Sequence, residues 1–280
     1  MLSHLTPTHL ARRLGKRVLE HHFRSPLSKL GTIRQTHIYC VGTAKSGTNS
    51  LASLYQGELR THHEADAKRV INLILGRRQG TVSRDTLREE LRKRDRSYML
   101  DLDSSQINYF YLPELLELFP QAKFLLTLRE PRSWLDSYIN HQLSRDGVTE
   151  EWRRFRDLRF RQDGLPHPPE ERALASRDLY TLDGYLAYWA RHNRDVLQLV
   201  PPSRLMVIRT HEITSRLPDI ARFVGVAPRN LGEMSTRAHA NKARRKHNVL
   251  EQIDGDYLHH KIQTHCGDLT HEFFPDKLGS

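Results

Sequence analysis

Short apolar runs bounded by polar or breaker residues recur along the chain: HIYCVG (37–42), YMLDLD (98–103), KFLLTLR (123–129) and RLMVIRT (204–210). Each has the length of a buried strand. The segments between them carry helical period rather than alternation, which predicts an α/β protein, a parallel β-sheet flanked by helices. Within 178–200, Leu182, Tyr185, Leu186, Trp189, Val196 and Val200 recur at threes and fours and mark the inward face of one long helix. Pro131 follows the third run after one residue, Glu130, where a first helical turn tolerates its missing N–H, and Trp134, Leu135 and Tyr138 form the inward face of the helix it opens.

Other stretches break this pattern. Residues 144–177, including RQDGLPHPPEER, are rich in Arg, Glu, Asp and Pro and read as an exposed excursion or lid. AHANKARRKHN (238–248) has almost no apolar content and reads as a surface loop. HLARRLGKRVLEHHFRSPLSKL (9–30) is basic, with Leu and Val at partly helical spacing. This suits a helix packed on the domain or a frayed arm; weak contact with an anionic membrane surface and an organellar presequence are the other readings. Residues 1–35 are therefore set apart as a basic N-terminal helix or arm, and 36–280 as one domain. No internal repeat is evident.

Composition narrows the function classes only part of the way. A chain of 280 residues can bury a sizeable core. Lys and Arg outnumber Asp and Glu by 44 to 33, a net charge of +11, so the surface field favours nucleic acid, acidic glycan, anionic lipid or nucleotide. Cys40 and Cys266 lie far apart, which argues against a disulfide framework or a zinc site and for a reducing compartment. No run approaches the roughly 18 apolar residues of a membrane span, and the N-terminus lacks a signal peptide's apolar core, so a soluble, cytoplasmic protein is expected.

The candidate chemistry begins at GTAKSGTNS (42–50), directly after the first apolar run. A strand, a glycine-rich turn and a helix beginning near Thr48 would aim backbone N–H groups at an anion. In the common triphosphatase loop the lysine follows the last glycine. Here Thr48 follows Gly47, and Lys45 lies two residues before it.

AKSGTNSL resembles the PKSGTTxL loop of sulfotransferases that use 3′-phosphoadenosine 5′-phosphosulfate (PAPS), and KFLLTLREPRSWLDSY resembles that family's 3′-phosphate element. Further similarity runs through YLAYWARHNRDVLQLVPPSRLMVIRTHEITSRLPDIARFVGV, so the resemblance covers roughly residues 36–230 in order. It implies the three-layer, P-loop-like sulfotransferase fold of bacterial-type or glycan and small-molecule enzymes. It also implies that Lys45, Ser46, Gly47, Thr48, Asn49 and Ser50 hold the 5′-phosphosulfate, Lys45 meets the bridging oxygen, and Arg129 and Ser137 hold the 3′-phosphate. In the second element Glu130 and Pro131 stand between these two.

Departures are visible as well. Ala44 replaces a proline, Asn49 a frequent threonine, and the cytosolic family's RKGxxGDWK element is absent. Its clamping role could fall to Lys242, Arg244, Arg245 or Lys246, with no motif to choose among them.

The acceptor needs a base. The resemblance implies a His or a Glu, and THHEAD supplies Glu64 as the first candidate and His63 as the second, with Asp101 and Asp103 third. Sulfuryl transfer to a hydroxyl or amine of a glycan, glycolipid or small metabolite is the function implied, with PAPS as donor cosubstrate and no metal. A P-loop kinase, a nucleic-acid binder and a family member that binds nucleotide without transfer are the alternatives. No recognition helix, zinc finger or aromatic RNA-binding motif supports a nucleic-acid partner. Oligomeric state is not legible.

Overall fold

The structure, a computed structural model, describes residues 34–277 except 146, 162, 163, 165 and 227–245. The basic arm before residue 34, and Lys242, Arg244 and Arg245, lie outside the described residues. Five strands, β1 (Ile38–Cys40), β2 (Thr61–His63), β3 (Leu102–Ser104), β4 (Lys123–Leu128) and β5 (Leu205–Arg209), form one sheet in the order β2-β3-β1-β4-β5. All four pairings are parallel, with Ile38 aligned to Leu102 on one side and to Lys123 on the other.

Parallel neighbours cannot be joined by hairpins, so every connection is a crossover. Helix α1 (Thr48–Leu54) links β1 to β2. Helices α2 (Ala67–Arg78) and α3 (Arg84–Tyr98) lead to β3, and a 3-10 turn (Gln106–Tyr111) with α4 (Leu112–Leu118) leads to β4. Between β4 and β5 lie α5 (Pro131–Leu143), α6 (Glu150–Phe160), the single turn α7 (Arg172–Ala175) and α8 (Leu182–Leu199). After β5 come α9 (Leu217–Val224) and α10 (Gly255–Phe273).

Alternation along the central strands buries both faces, which gives three layers. Tyr39, Val41, Phe124 and Leu126 pack against α2, α3 and α4, while Ile38, Cys40, Leu125, Met206 and Ile208 pack against α1 and α9. A separate cluster joins Trp134, Leu135 and Tyr138 of α5 to Leu182, Tyr185, Leu186 and Trp189 of α8 and to Leu258, Ile262 and Leu269 of α10. The stripe predicted for the long helix is buried at every position, Val200 included. The helix begins at Leu182, where the Thr181 hydroxyl caps it by accepting from the Gly184 amide.

Two expectations are corrected and one strand is added. YMLDLD is not one strand: Tyr98 ends α3, Met99 reverses the chain with a φ of 47°, and pairing begins only at Leu102. The start of THHEAD is a strand that the apolar pattern did not predict, since Thr61–His63 is the edge strand β2. Its backbone is held by β3, and three half-buried polar residues give no apolar signal. The stretch 144–177 is not simply exposed: Phe155, Arg159 and Phe160 of α6 are buried, and this helix packs on α2 and α8. Arg153, Arg154 and Arg156 are exposed or half-buried and mask the helical period.

No helix among the described residues is long and apolar enough to cross a membrane.

Candidate active site

The loop Val41–Gly47 leaves the C-terminal end of β1, where the strand order reverses: the chain goes out to β2 and β3, then returns to β4 on the other side. In open α/β sheets that reversal opens a crevice for ligands. Two glycines let the loop sit there. A Cβ on Gly42 would lie 2.0 Å from the Thr127 hydroxyl, and Gly47 has a φ of 109° with Ile213 2.8 Å from where its Cβ would be.

Four consecutive carbonyls of this loop are tied from behind. Ser46 Oγ donates to Thr43 O at 2.6 Å, Trp134 Nε1 to Ala44 O at 2.8 Å, Arg129 Nη1 to Lys45 O at 3.2 Å, and Thr210 Oγ1 to Ser46 O at 2.5 Å. His192 Nε2 lies 2.7 Å from Val41 O, beneath the start of the turn. In a trans peptide the N–H points opposite to the preceding C=O. Turning Ala44 O and Ser46 O into the protein therefore turns the amides of Lys45 and Gly47 out of it, next to the first-turn amides of α1 that have no intrahelical acceptor.

Ser46 departs from its expected role. Its side chain is fully buried, with its hydroxyl directed to Thr43 O and the Thr127 hydroxyl, so it shapes the loop instead of facing a ligand. Thr48 directs its hydroxyl toward His63 Nε2 at 3.3 Å, while Asn49 and Ser50 are half-buried on the first turn of α1.

Lys45 holds a left-handed φ of 68°, an uncommon conformation for a residue with a side chain. Burial, then the positive charges of Arg129 and Arg145, lower its pKa. Arg129 directly follows β4 and is anchored by Nε to Ser133 Oγ at 2.9 Å, while its own carbonyl accepts from Trp189 Nε1 at 3.1 Å. Burial lowers its pKa too, against the opposing carboxylates of Asp136 and Glu130. Glu130 caps α5, accepting from the Arg132 and Ser133 amides at 2.8 and 2.7 Å. That explains an acidic residue directly after the arginine. Ser137 lies one turn beyond Ser133, half-buried and not bonded to Arg129. Ser133 is the arginine's partner, and sequence reasoning missed it.

The opposite wall is the end of β2. His63 has a lowered pKa, chiefly through burial, with Glu64 opposing the shift. Glu64 and Asp66 have φ values of 59° and 56°, and between them Ala65 O accepts from Arg94 Nη2 at 3.0 Å. Arg94 is itself paired with Asp103 at 2.5 Å. The Glu64 carboxylate accepts from Gln106 Nε2 at 2.7 Å. In the last turn of α5, burial and then the charges of Lys45, Arg145, Arg156 and Arg159 hold His141 down to a pKa of about 4.

Asp101 and Asp103 are thereby removed from the candidate bases. Asp101 precedes β3, at the end of the sheet away from the loop, and both its oxygens are taken by Arg60, at 2.9 and 3.1 Å. Asp103 is 3% exposed and is the counter-ion of Arg94. Among the described residues no group of three or more His, Cys, Asp or Glu is placed to hold a metal ion.

A parallel sheet with an anion-directed loop at its reversal point, faced by two cations and a carboxylate, defines a P-loop-like α/β group-transfer protein. A family model described as "Sulfotransferase domain" matches residues 37–227, and the chain belongs to that family. Its general chemistry is sulfuryl transfer. No curated protein matches the chain by sequence.

Solved structures similar to it include a sulfotransferase from Alicyclobacillus acidocaldarius, at 16% identity and a TM-score of 0.46, covering 85% of this chain and 97% of that one. A sulfotransferase from Mycobacterium avium has 10% identity and a TM-score of 0.46 over 91% and 81% of the two chains. A mouse sulfotransferase complexed with PAP has 16% identity and a TM-score of 0.41 over 89% and 90%.

Proposed function

We propose that this protein transfers a sulfuryl group from PAPS to a hydroxyl or amine of an acidic acceptor. The observation that carries this reading is the convergence of Lys45 and Arg129 on one loop, with Arg129 donating to the Lys45 carbonyl and both cations partly desolvated. Cations brought together at such cost suit a ligand with several negative charges. The pattern agrees with a donor that has a 5′-phosphosulfate on the loop and a 3′-phosphate at Arg129, supported by a hydroxyl on α5.

Bound there, the donor supplies a sulfuryl group on a phosphate leaving group. The residues' tasks follow from charge. Lys45 places its ammonium where charge grows on the bridging oxygen, and the outward amides of Lys45 and Gly47, with Thr48, Asn49 and Ser50, cradle the 5′-phosphate. Glu64 accepts the acceptor's proton as it attacks, and His63 is the second candidate for that role. Arg145 and Arg156, two of the cations that depress His141, favour an acceptor with its own negative charge, such as an acidic glycan or metabolite.

Equilibrium binding tests the donor assignment before any acceptor is known. Charge-assisted hydrogen bonds contribute on the order of 1.5–3 kcal/mol, so adenosine 3′,5′-bisphosphate should bind at least about tenfold more tightly than adenosine 5′-monophosphate. Equal affinities, or a preference for ATP with magnesium, would overturn the PAPS reading and favour a kinase. Tight bisphosphate binding without label transfer from PAPS to a panel of neutral and acidic acceptors would point to a nucleotide binder that lacks transfer.

A further inference from the structure

Arg159 is the only arginine that stands among the largest fully buried side chains, at 2% exposure, and no carboxylate pairs with it directly among the described residues. Its guanidinium lies 4.7 Å from the Phe155 ring centre and 4.9 Å from that of Phe160. Its Nε donates to Phe155 O at 3.3 Å, and its Nη1 donates to Gln106 Oε1 at 2.6 Å. The other end of that amide, Nε2, donates to Glu64 Oε1 at 2.7 Å. A buried cation is thus joined to a carboxylate at the crevice through one glutamine, itself 7% exposed.

We propose that Gln106 and Arg159 form a positioning relay that holds the Glu64 carboxylate for proton abstraction. This rests on Glu64 as the base. A guanidinium has donors only, so it can face nothing but the amide oxygen, which leaves the NH2 group to face Glu64. Arg159 therefore fixes which way Gln106 points, and Gln106 fixes one oxygen of Glu64. The other oxygen is then the one that can meet an acceptor. Glu64 leaves β2 with a left-handed φ of 59°, its amide bonded to Ser104 O at 3.1 Å, so its backbone is set as well. Strain of this kind persists where surrounding structure over-determines it.

Packing alone is the competing explanation for Arg159, because its stacking on aromatic rings would serve a core equally well. A double-mutant cycle separates the two, with sulfate release from labelled PAPS measured with water and with a panel of acidic acceptors. Gln106→Leu should lower turnover about tenfold while bisphosphate affinity stays near wild type, and its thermal midpoint should fall because the buried Arg159 donor loses its acceptor. In a Glu64→Gln background the same change should cost little more, since no base remains to be positioned. Arg159→Lys, which still donates to Oε1, should retain more turnover than Arg159→Met.

An activity-free readout is the Gln106 side-chain amide signal in heteronuclear NMR, identified by its loss in Gln106→Leu. It should shift in both Glu64→Ala and Arg159→Met. Fold losses that simply multiply, or an amide signal indifferent to Glu64, overturn the relay while leaving the base in place. Full turnover in Glu64→Gln overturns the base assignment and the relay together.

Discussion

The loop wall of the crevice and the β2 wall are supported in opposite ways. Behind the loop, Ser46, Trp134, Arg129 and Thr210 hold four consecutive carbonyls, and they come from the loop itself, α5, the end of β4 and the segment after β5. At Glu64 a single side-chain amide fixes the carboxylate, and the neighbouring strand is an edge. Redundant ties let one wall lose a bond and keep its shape. On the other wall the backbone is held by β3 and Arg94 but the Glu64 carboxylate hangs on one bond, so small changes there should alter its geometry.

The largest test of this contrast is Lys45→Ala. Removing a cation aimed at developing charge costs about 10²–10³ in turnover, whereas the loop's amides and Arg129 should keep much of the bisphosphate affinity. Transfer rate and calorimetric Kd, measured on the same preparation, decide it. A Kd that weakens as much as the rate would mean that Lys45 only binds, and the loop wall would then have no chemical role.

Arg129→Ala should come next. It removes a candidate 3′-phosphate donor and also the tie on Lys45 O, so bisphosphate affinity should fall about tenfold or more. Affinity for adenosine 5′-monophosphate should change less. Equal losses for both nucleotides would place Arg129 behind the loop as a support and nowhere else.

A single carbonyl tie should matter less. Thr210→Val keeps the side chain's volume and deletes the bond to Ser46 O, a change worth about 1 kcal/mol, or several-fold in bisphosphate Kd. Turnover at saturating donor should hold. If the loop wall is as redundant as its bonds suggest, Trp134→Phe should behave likewise.

The two walls were also unequally legible in the sequence. Gly42, Lys45 and Gly47 lie within six consecutive residues, and Arg129 follows an apolar strand with one residue between it and a proline, so local pattern was enough to find them. The carbonyl ties were hidden because Trp134 reads first as a helix-face residue, and nothing local shows that its ring nitrogen, or that of His192, reaches the loop. On the β2 wall the three strand residues are polar and short. Gln106 sits in a 3-10 turn, and Arg159 lies among arginines that read as a solvated face. One signal was available: Arg159 follows Phe155 by four and adjoins Phe160, which places it on the buried side of α6. Its link to Glu64, 95 residues earlier in the chain, was not readable from spacing.

The smallest effect expected is a difference in acid sensitivity between two buried histidines. Burial holds His192, behind the loop, down to a pKa of about 3, and burial with the nearby cations of Lys45 and three arginines holds His141, on α5, down to about 4. Both folded-state values lie below the ordinary value of about 6.5, so below that pH the unfolded chain binds more protons. Stability contributed by the neutral rings is therefore complete above about pH 6.5 and lost as pH falls toward the folded values, by at most about 1.4 kcal/mol per pH unit for each histidine. Bound bisphosphate would offset the cations around His141 but not the burial of His192. Thermal midpoints from pH 7 to 5 should decline less steeply with bisphosphate than without it. His141→Asn should remove that ligand-dependent part, which also separates it from protonation of the phosphates themselves. His192→Gln should flatten the slope equally with and without ligand. If His192→Gln instead abolishes the ligand dependence, the nucleotide reaches the back of the loop, and the two histidines are not electrostatically separate.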